Sequence, residues 1–301
     1  MSADEARPAV RDVLVIGEAL IDVVDDGTVA IEHVGGSPAN VALGLGRRGV
    51  SVSLLTQVAD DARGRAIAEH LRASGVVVLP ESLVGAATSV AAAEIDADGH
   101  AEYTFDVHWD RFEQPSTAAR IVHTGSIAAF MEPGASSVLR ALQQADAAEI
   151  TFDPNIRPDL VGEHTETVAT FEAIARLATV VKLSDQDASW LYPGLSVEAA
   201  VDAVLQLGPR LVVMTLGAAG AIMASGAGRV RVPATAVDAV DTIGAGDTFM
   251  ASLIHSLLER GSADLRRHDL EEFGQAAARA AAITVSRAGA DLPWKRELEP
   301  A

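Results

Sequence analysis

No cysteine occurs among the 301 residues, which excludes disulfides, thiolate chemistry and cysteine-ligated zinc. Lysine is nearly absent too: Lys182 and Lys295 stand alone among basic residues that are otherwise arginine. Neither follows a glycine in the G-x-x-x-x-G-K-[ST] pattern, so a Walker-type phosphate loop is ruled out. No apolar run approaches the ~18 residues that a membrane span needs. Residues Met1 to Val10 are polar and acidic, with no stretch that serves as a secretion signal, so a cytoplasmic protein is expected. The eight histidines show no metal-ligand spacing and read as surface or satisfied core groups. Ser126 lacks a G-x-S-x-G setting, which argues against a serine hydrolase.

What is present fits a globular protein, with 49% hydrophobic and 22% charged residues. A formal charge of −19 opposes nucleic-acid or anionic-membrane partners, since a polyanion meets net repulsion. Short apolar runs at Val13–Ile16, Val52–Leu55, Ile121–His123, Glu149–Phe152, Val180–Leu183 and Leu211–Met214 alternate with helical patterns. Examples of those helices are Arg63–Ser74 and Ala135–Gln144. This rhythm predicts β-α units and a mainly parallel sheet in one α/β domain spanning 1–301. Two stretches break it. Asp22–Val34 carries a turn at Asp25-Asp26-Gly27, and Thr88–Val107 alternates around Asp96-Ala97-Asp98-Gly99 as a hairpin does. Together they predict a small sheet over the main domain, from segments about 22–35 and 87–108. The chain from Pro293 reads as a loosely held tail.

The strongest chemical signal is Asp241-Thr242-Ile243-Gly244-Ala245-Gly246-Asp247, running into a helix that ends at Gly261. Glycines at a helix start let successive amides point at one spot, and the helix dipole adds positive potential. Asp247 beside such an anion site is placed to take a proton from an attacking hydroxyl. As a carboxylate at a helix N-terminus it is expected to stay ionised, hence a weak base, which phosphoryl transfer tolerates. A bare G-x-G-D is otherwise a capped turn; the seven-residue string is more specific.

Gly35-Gly36-Ser37-Pro38-Ala39-Asn40 is the second signal, read as an N-cap at Ser37 and a helix to Gly49. Its glycines allow a hydroxylated ligand close to the backbone, and Asn40 offers a donor and an acceptor. Gly44-Leu45-Gly46-Arg47-Arg48-Gly49 matches the dinucleotide fingerprint but lies inside that helix, so the motif has no mechanism here. Asp22, read as the end of the first strand, suits two neighbouring hydroxyls. Arg157 in Asp153-Pro154-Asn155-Ile156-Arg157 suits a phosphate or carboxylate, and Thr215 and Gly217 suit nucleotide phosphates.

Taken together, these segments resemble the PfkB, or ribokinase-like, carbohydrate kinase family across nearly the whole chain. Gly35–Asn40 is similar to the family's N-terminal signature and Asp241–Asp247 to its C-terminal one. The resemblance implies a Rossmann-like three-layer α/β/α core with a small β-sheet lid. It also implies Asp247 as catalytic base, Gly244, Ala245 and Gly246 as the anion hole, and Asp22, Gly35, Gly36, Asn40 and Arg157 on the sugar. ATP would lie near Thr215, Gly217 and the Gln275–Val285 helix, with Mg2+ bridging its phosphates largely through water. A K+ site near Asp241 and Ser286 is common in the family. The family's N-x-x-E motif appears here as Ser184-Asp185-Gln186-Asp187, with Ser184 facing the nucleotide and the shorter Asp187 left for the magnesium water network. Fructokinases are the most similar branch. 2-Keto-3-deoxygluconate, ribose or a nucleoside as acceptor, a sugar-binding pseudo-kinase, and a homodimer through the lid stand beside that reading.

Overall fold

The computed structural model describes residues 10–25, 27–95 and 101–299. Asp26, the turn Asp96–Gly99 and residues 1–9 lie outside the described residues. The chain opens with β1 (Arg11–Ile16), β2 (Leu20–Asp25), β3 (Ala30–Gly35) and α1 (Ser37–Arg47). There follow β4 (Val52–Leu55), β5 (Val58–Ala59), α2 (Ala62–Ala73), β6 (Val77–Val78), β7 (Leu83–Gly85), β8 (Val90–Ile95) and β9 (Ala101–Asp106). Then β10 (Ala119–Gly125), α3 (Ala135–Gln143), β11 (Glu149–Asp153), α4 (His164–Leu177) and β12 (Val180–Ser184) alternate. The last part holds α5 (Asp185–Leu191), α6 (Val197–Gln206), β13 (Leu211–Thr215), β14 (Ala221–Ser225), β15 (Gly228–Val232), α7 (Ala245–Arg260), α8 (Arg267–Val285) and α9 (Lys295–Leu298).

Nine strands form the main sheet in the order β15-β14-β13-β12-β11-β10-β1-β4-β6. Pairing is parallel from β6 to β13, as the β-α rhythm requires, and antiparallel in β13–β14–β15. Alternation along β1 shows why the sheet is covered on both faces. Val13 and Val15 enter a cluster with Val41, Leu45, Phe249, Leu253 and Ala277, from α1, α7 and α8. Leu14 and Ile16 enter a second cluster with Phe152, Phe171, Ile174 and Val201, which brings in α4 and α6. Three layers result.

The two stretches that broke the rhythm meet in a separate four-stranded sheet, β3-β2-β8-β9. Asp22 therefore lies inside β2 of this small sheet, opposite His33, and not at the end of the first strand. The β14–β15 hairpin escaped the sequence reading although Arg229-Val230-Arg231-Val232 alternates cleanly. The expectation of a loose tail is also corrected. Leu292 is fully buried, Trp294 stacks under the Arg47 guanidinium at 5.1 Å, and Arg287 pairs with Glu297 at 2.5 Å. No described helix is long and apolar enough to cross a membrane.

Candidate active site

Helix α7 begins where the Asp241–Asp247 string ends. Gly244 is its N-cap in the left-handed region, φ 76°, and a Cβ there would lie 2.8 Å from that of Ala290. Only glycine fits. Ala245 donates its amide to Thr242 O, while the amides of Gly246 and Asp247 lie in the first turn, where a helix supplies no partner. Thr248 locks the turn by bonding Gly244 O and Thr284 Oγ1. The start of α7 thus presents amides and positive dipole to one point.

Asp247, 8% exposed, sits at that point. Ser37 Oγ donates to its Oδ1 at 2.7 Å and Asn40 Nδ2 to its Oδ2 at 2.8 Å. Ser37 is the first residue of α1, with Gly36 as the N-cap, so the expected capping role is replaced by a bond across 210 residues. Burial pushes the Asp247 carboxyl above its ordinary value, against Ser37, Asn40, Lys182 and Arg157. It is a stronger base than a helix N-terminus alone would leave.

Behind the loop, Lys182 Nζ meets Asp153 Oδ2 at 2.5 Å, and both side chains are buried. A Cβ on Gly246 would come within 3.3 Å of that ammonium, so Lys182 lies directly under the anion loop. Asp153, though pushed up to about 6 by burial, keeps Lys182 protonated at neutral pH. The sequence reading overlooked this pair; a lysine in the middle of an apolar strand, one of only two in a chain that otherwise uses arginine, was the available signal. His123 is a satisfied core group bonded to Thr151.

On the small-sheet side, the Asp22 carboxylate lies against Gly35, where a Cβ would overlap it. Burial raises Asp22, while His33 and Arg157 oppose that rise and Asp247 adds to it. Arg157 is exposed after β11 and donates to Asn155 Oδ1 at 2.7 Å; its charge reaches Asp22, Asp247 and the buried Glu18. Gly36, φ 100°, has its missing side chain explained by chain packing: a Cβ would strike Glu18 O at 2.6 Å. Asn40 has its amide donor engaged by Asp247.

Ser184 and Asp187 form a capping box on α5. Asp187 Oδ2 accepts from Ser184 N and Oγ, and its Oδ1 from Ile156 N at 2.8 Å. Three of about four acceptor positions are taken, leaving room for water. No group of three acidic or histidine side chains among the described residues is set to cage a metal. The remaining acceptor position on Asp187 would suit a water of a Mg2+ shell, since that ion keeps its waters and leans on phosphates. Thr215 ends β13, and Gly217, φ 54°, opens onto free space. Asp241 accepts from Ile243 N and Gly289 N, which hold it below its usual range and tie it to the loop after Ser286.

Polar groups at the strand ends, a glycine turn opening a helix and a buried carboxylate beside it are the arrangement that an α/β phosphotransferase would need. The chain belongs to the pfkB family of carbohydrate kinases, whose model matches residues 10–296. It is 32% identical over 300 residues to a fructokinase of Klebsiella pneumoniae, covering 95% of this chain and 97% of that one. Among solved structures, aminoimidazole riboside kinase from Salmonella enterica, complexed with aminoimidazole riboside and an ATP analog, superposes with a TM-score of 0.81. It shares 26% identity over 95% of this chain and 98% of that one. A double mutant of fructokinase from Vibrio cholerae O395, bound to fructose, ADP and a potassium ion, gives a TM-score of 0.79. There the identity is 27%, over 97% of this chain and 98% of that one. The fold is ribokinase-like, and the protein is a sugar kinase.

Proposed function

We propose that the protein transfers the γ-phosphoryl of ATP to a primary hydroxyl of fructose. The observation that carries this reading is Asp247, buried at the start of α7 and gripped by Ser37 and Asn40 beside the Gly244–Gly246 turn. The acceptor hydroxyl lies between Asp22 and Asp247 and gives its proton to Asp247 as the phosphoryl arrives. The Gly246 and Asp247 amides, with Lys182 beneath and Arg157 opposite, balance the charge on the moving group. Asp187 would hold the water shell of a magnesium ion, which would supply further charge neutralisation on the phosphates. Ser184, Thr215 and Gly217 would line the ATP groove, and Asp241 and Ser286 would hold a potassium ion beside the anion loop. The small sheet acts as a lid that excludes water.

Support for fructose comes from the fructokinases among the relatives; the riboside kinase neighbour favours a riboside as the second reading. The deciding measurement is coupled ADP release from Mg-ATP with fructose, 2-keto-3-deoxygluconate, ribose, adenosine and aminoimidazole riboside, with and without potassium. Selective turnover of fructose is expected. Turnover of a riboside alone moves the specificity and keeps the chemistry. Sugar binding without ADP release from any acceptor would make the protein a pseudo-kinase.

A further inference from the structure

Two of the four passages of the chain between the small sheet and the rest of the molecule run through one point. Residues 17–19 carry it from β1 into β2, and Gly35–Gly36 bring it back from β3 into α1. Clearance is nil at this crossing. A side chain at Gly36 would strike Glu18 O at 2.6 Å, and one at Gly17 would meet the Pro38 ring and lie 3.6 Å from Ala128 Cβ. Glu18 occupies the centre, 2% exposed. Its Oε2 accepts from Ala128 N at 3.0 Å, while Oε1 has no hydrogen-bond partner. The turn that carries Ala128 begins at Ser126, whose φ of 56° and ψ of −148° are sparsely populated for any residue with a Cβ.

We propose that Glu18 is a positioning residue for sugar phosphorylation: its carboxyl ties the crossing of the β1–β2 and β3–α1 passages to the 126–129 turn, and so helps to set where the lid stands over the sugar. The inference rests on the reading of the small sheet as a lid. A glutamine or an apolar side chain would fill this place without leaving a carboxyl oxygen unpartnered, which is costly in a buried site. An ionisable group here has a use only if its two states differ. Burial raises the Glu18 carboxyl to about 7, against the Ala128 amide, the Ser126 hydroxyl and Arg157, the charged group that faces it. The neutral acid stays packed against the turn. The carboxylate draws toward water and Arg157, which loosens the crossing.

The test compares wild type, Glu18→Gln and Glu18→Ala by hydrogen exchange of the unliganded protein and by sugar kinetics. Between pH 6 and 8.5, wild-type protection in residues 17–36 and 126–129, corrected for intrinsic exchange, should fall roughly tenfold, the factor that one pKa unit represents. The KM for the sugar should rise over the same interval with kcat little changed. Glu18→Gln should hold both flat, and Glu18→Ala should be loose at every pH. Identical pH dependence in wild type and Glu18→Gln overturns the proposal, even if Glu18→Ala does not fold. The exchange arm needs no sugar, so a wild type inactive on all acceptors would defeat the kinase mechanism without deciding the tie.

Discussion

Two hydrogen bonds and burial pull in opposite directions on Asp247, and with Asp247 as the proposed base that balance would set the pH behaviour of the reaction. Burial raises its pKa; Ser37 and Asn40 lower it. The base works only when ionised, so kcat should fall as pH drops through a value above the ordinary carboxylate range. Ser37→Ala removes one of the lowering bonds, and its acid limb is expected at higher pH than the wild type's, with kcat restored at alkaline pH. A pH–rate profile of the two proteins checks the sign, and an unmoved limb would show that Ser37 does not touch the working base. Asp247→Ala should lose about 10²–10⁴ in kcat, the range of general-base catalysis, with sugar and ATP still binding by calorimetry. Near-normal turnover would remove Asp247 from the role.

At the scale of elements, the anion loop depends on a helix that can begin only one way. Gly244 caps α7 at φ 76° with Ala290 packed against it. Gly244→Ala is expected to cost about 1–3 kcal/mol of stability for the strained backbone alone, and to cut kcat sharply by tilting the first-turn amides. A melting curve and a rate at one saturating sugar concentration separate the two effects. The C-terminal segment is the second such dependence. Leu292 packs on Gly44 in α1 and next to Gly244, so the tail braces both signature helices. Leu292→Ala should lower stability by roughly 2–5 kcal/mol, as core leucine truncations do, which chemical denaturation would register. A change below 1 kcal/mol would mean that the tail is not part of the core.

At the scale of the molecule, a net charge of −19 sits on a chain whose site gathers Asp22, Asp153, Asp187 and Asp247 around Lys182 and Arg157. The small sheet, by contrast, leaves apolar surface in the open. Val24 and Ile31 face each other across β2 and β3 and are 38% and 51% exposed. We propose that this cross-strand pair meets its counterpart in a matching copy, in a homodimer through the lid. Light scattering should give twice the single-chain mass, and Val24→Lys with Ile31→Lys should halve it. A wild type that runs as a single chain would overturn the dimer.

Local chemistry was enough for the α/β rhythm, the small sheet and the helix that follows Gly244-Ala245-Gly246, because each rests on periodicity or on glycines at a turn. Sequence by itself also singled out Asp247 as the proposed base, since its motif is contiguous, and it placed the decoy glycines inside helix α1. Contacts across long separations were beyond it. Ser37 reaches Asp247 over 210 residues, Asp153 meets Lys182 only because β11 and β12 are neighbours, and Gly36 has no room for a side chain because Glu18 O packs against it. The chain from Pro293 reads as loose, yet it is docked by a tryptophan under an arginine and by the Arg287–Glu297 pair, next to the buried Leu292. Burial also lifts the Asp247 carboxyl above its ordinary value, because desolvation depends on what packs around a carboxylate and not on its neighbours in the chain.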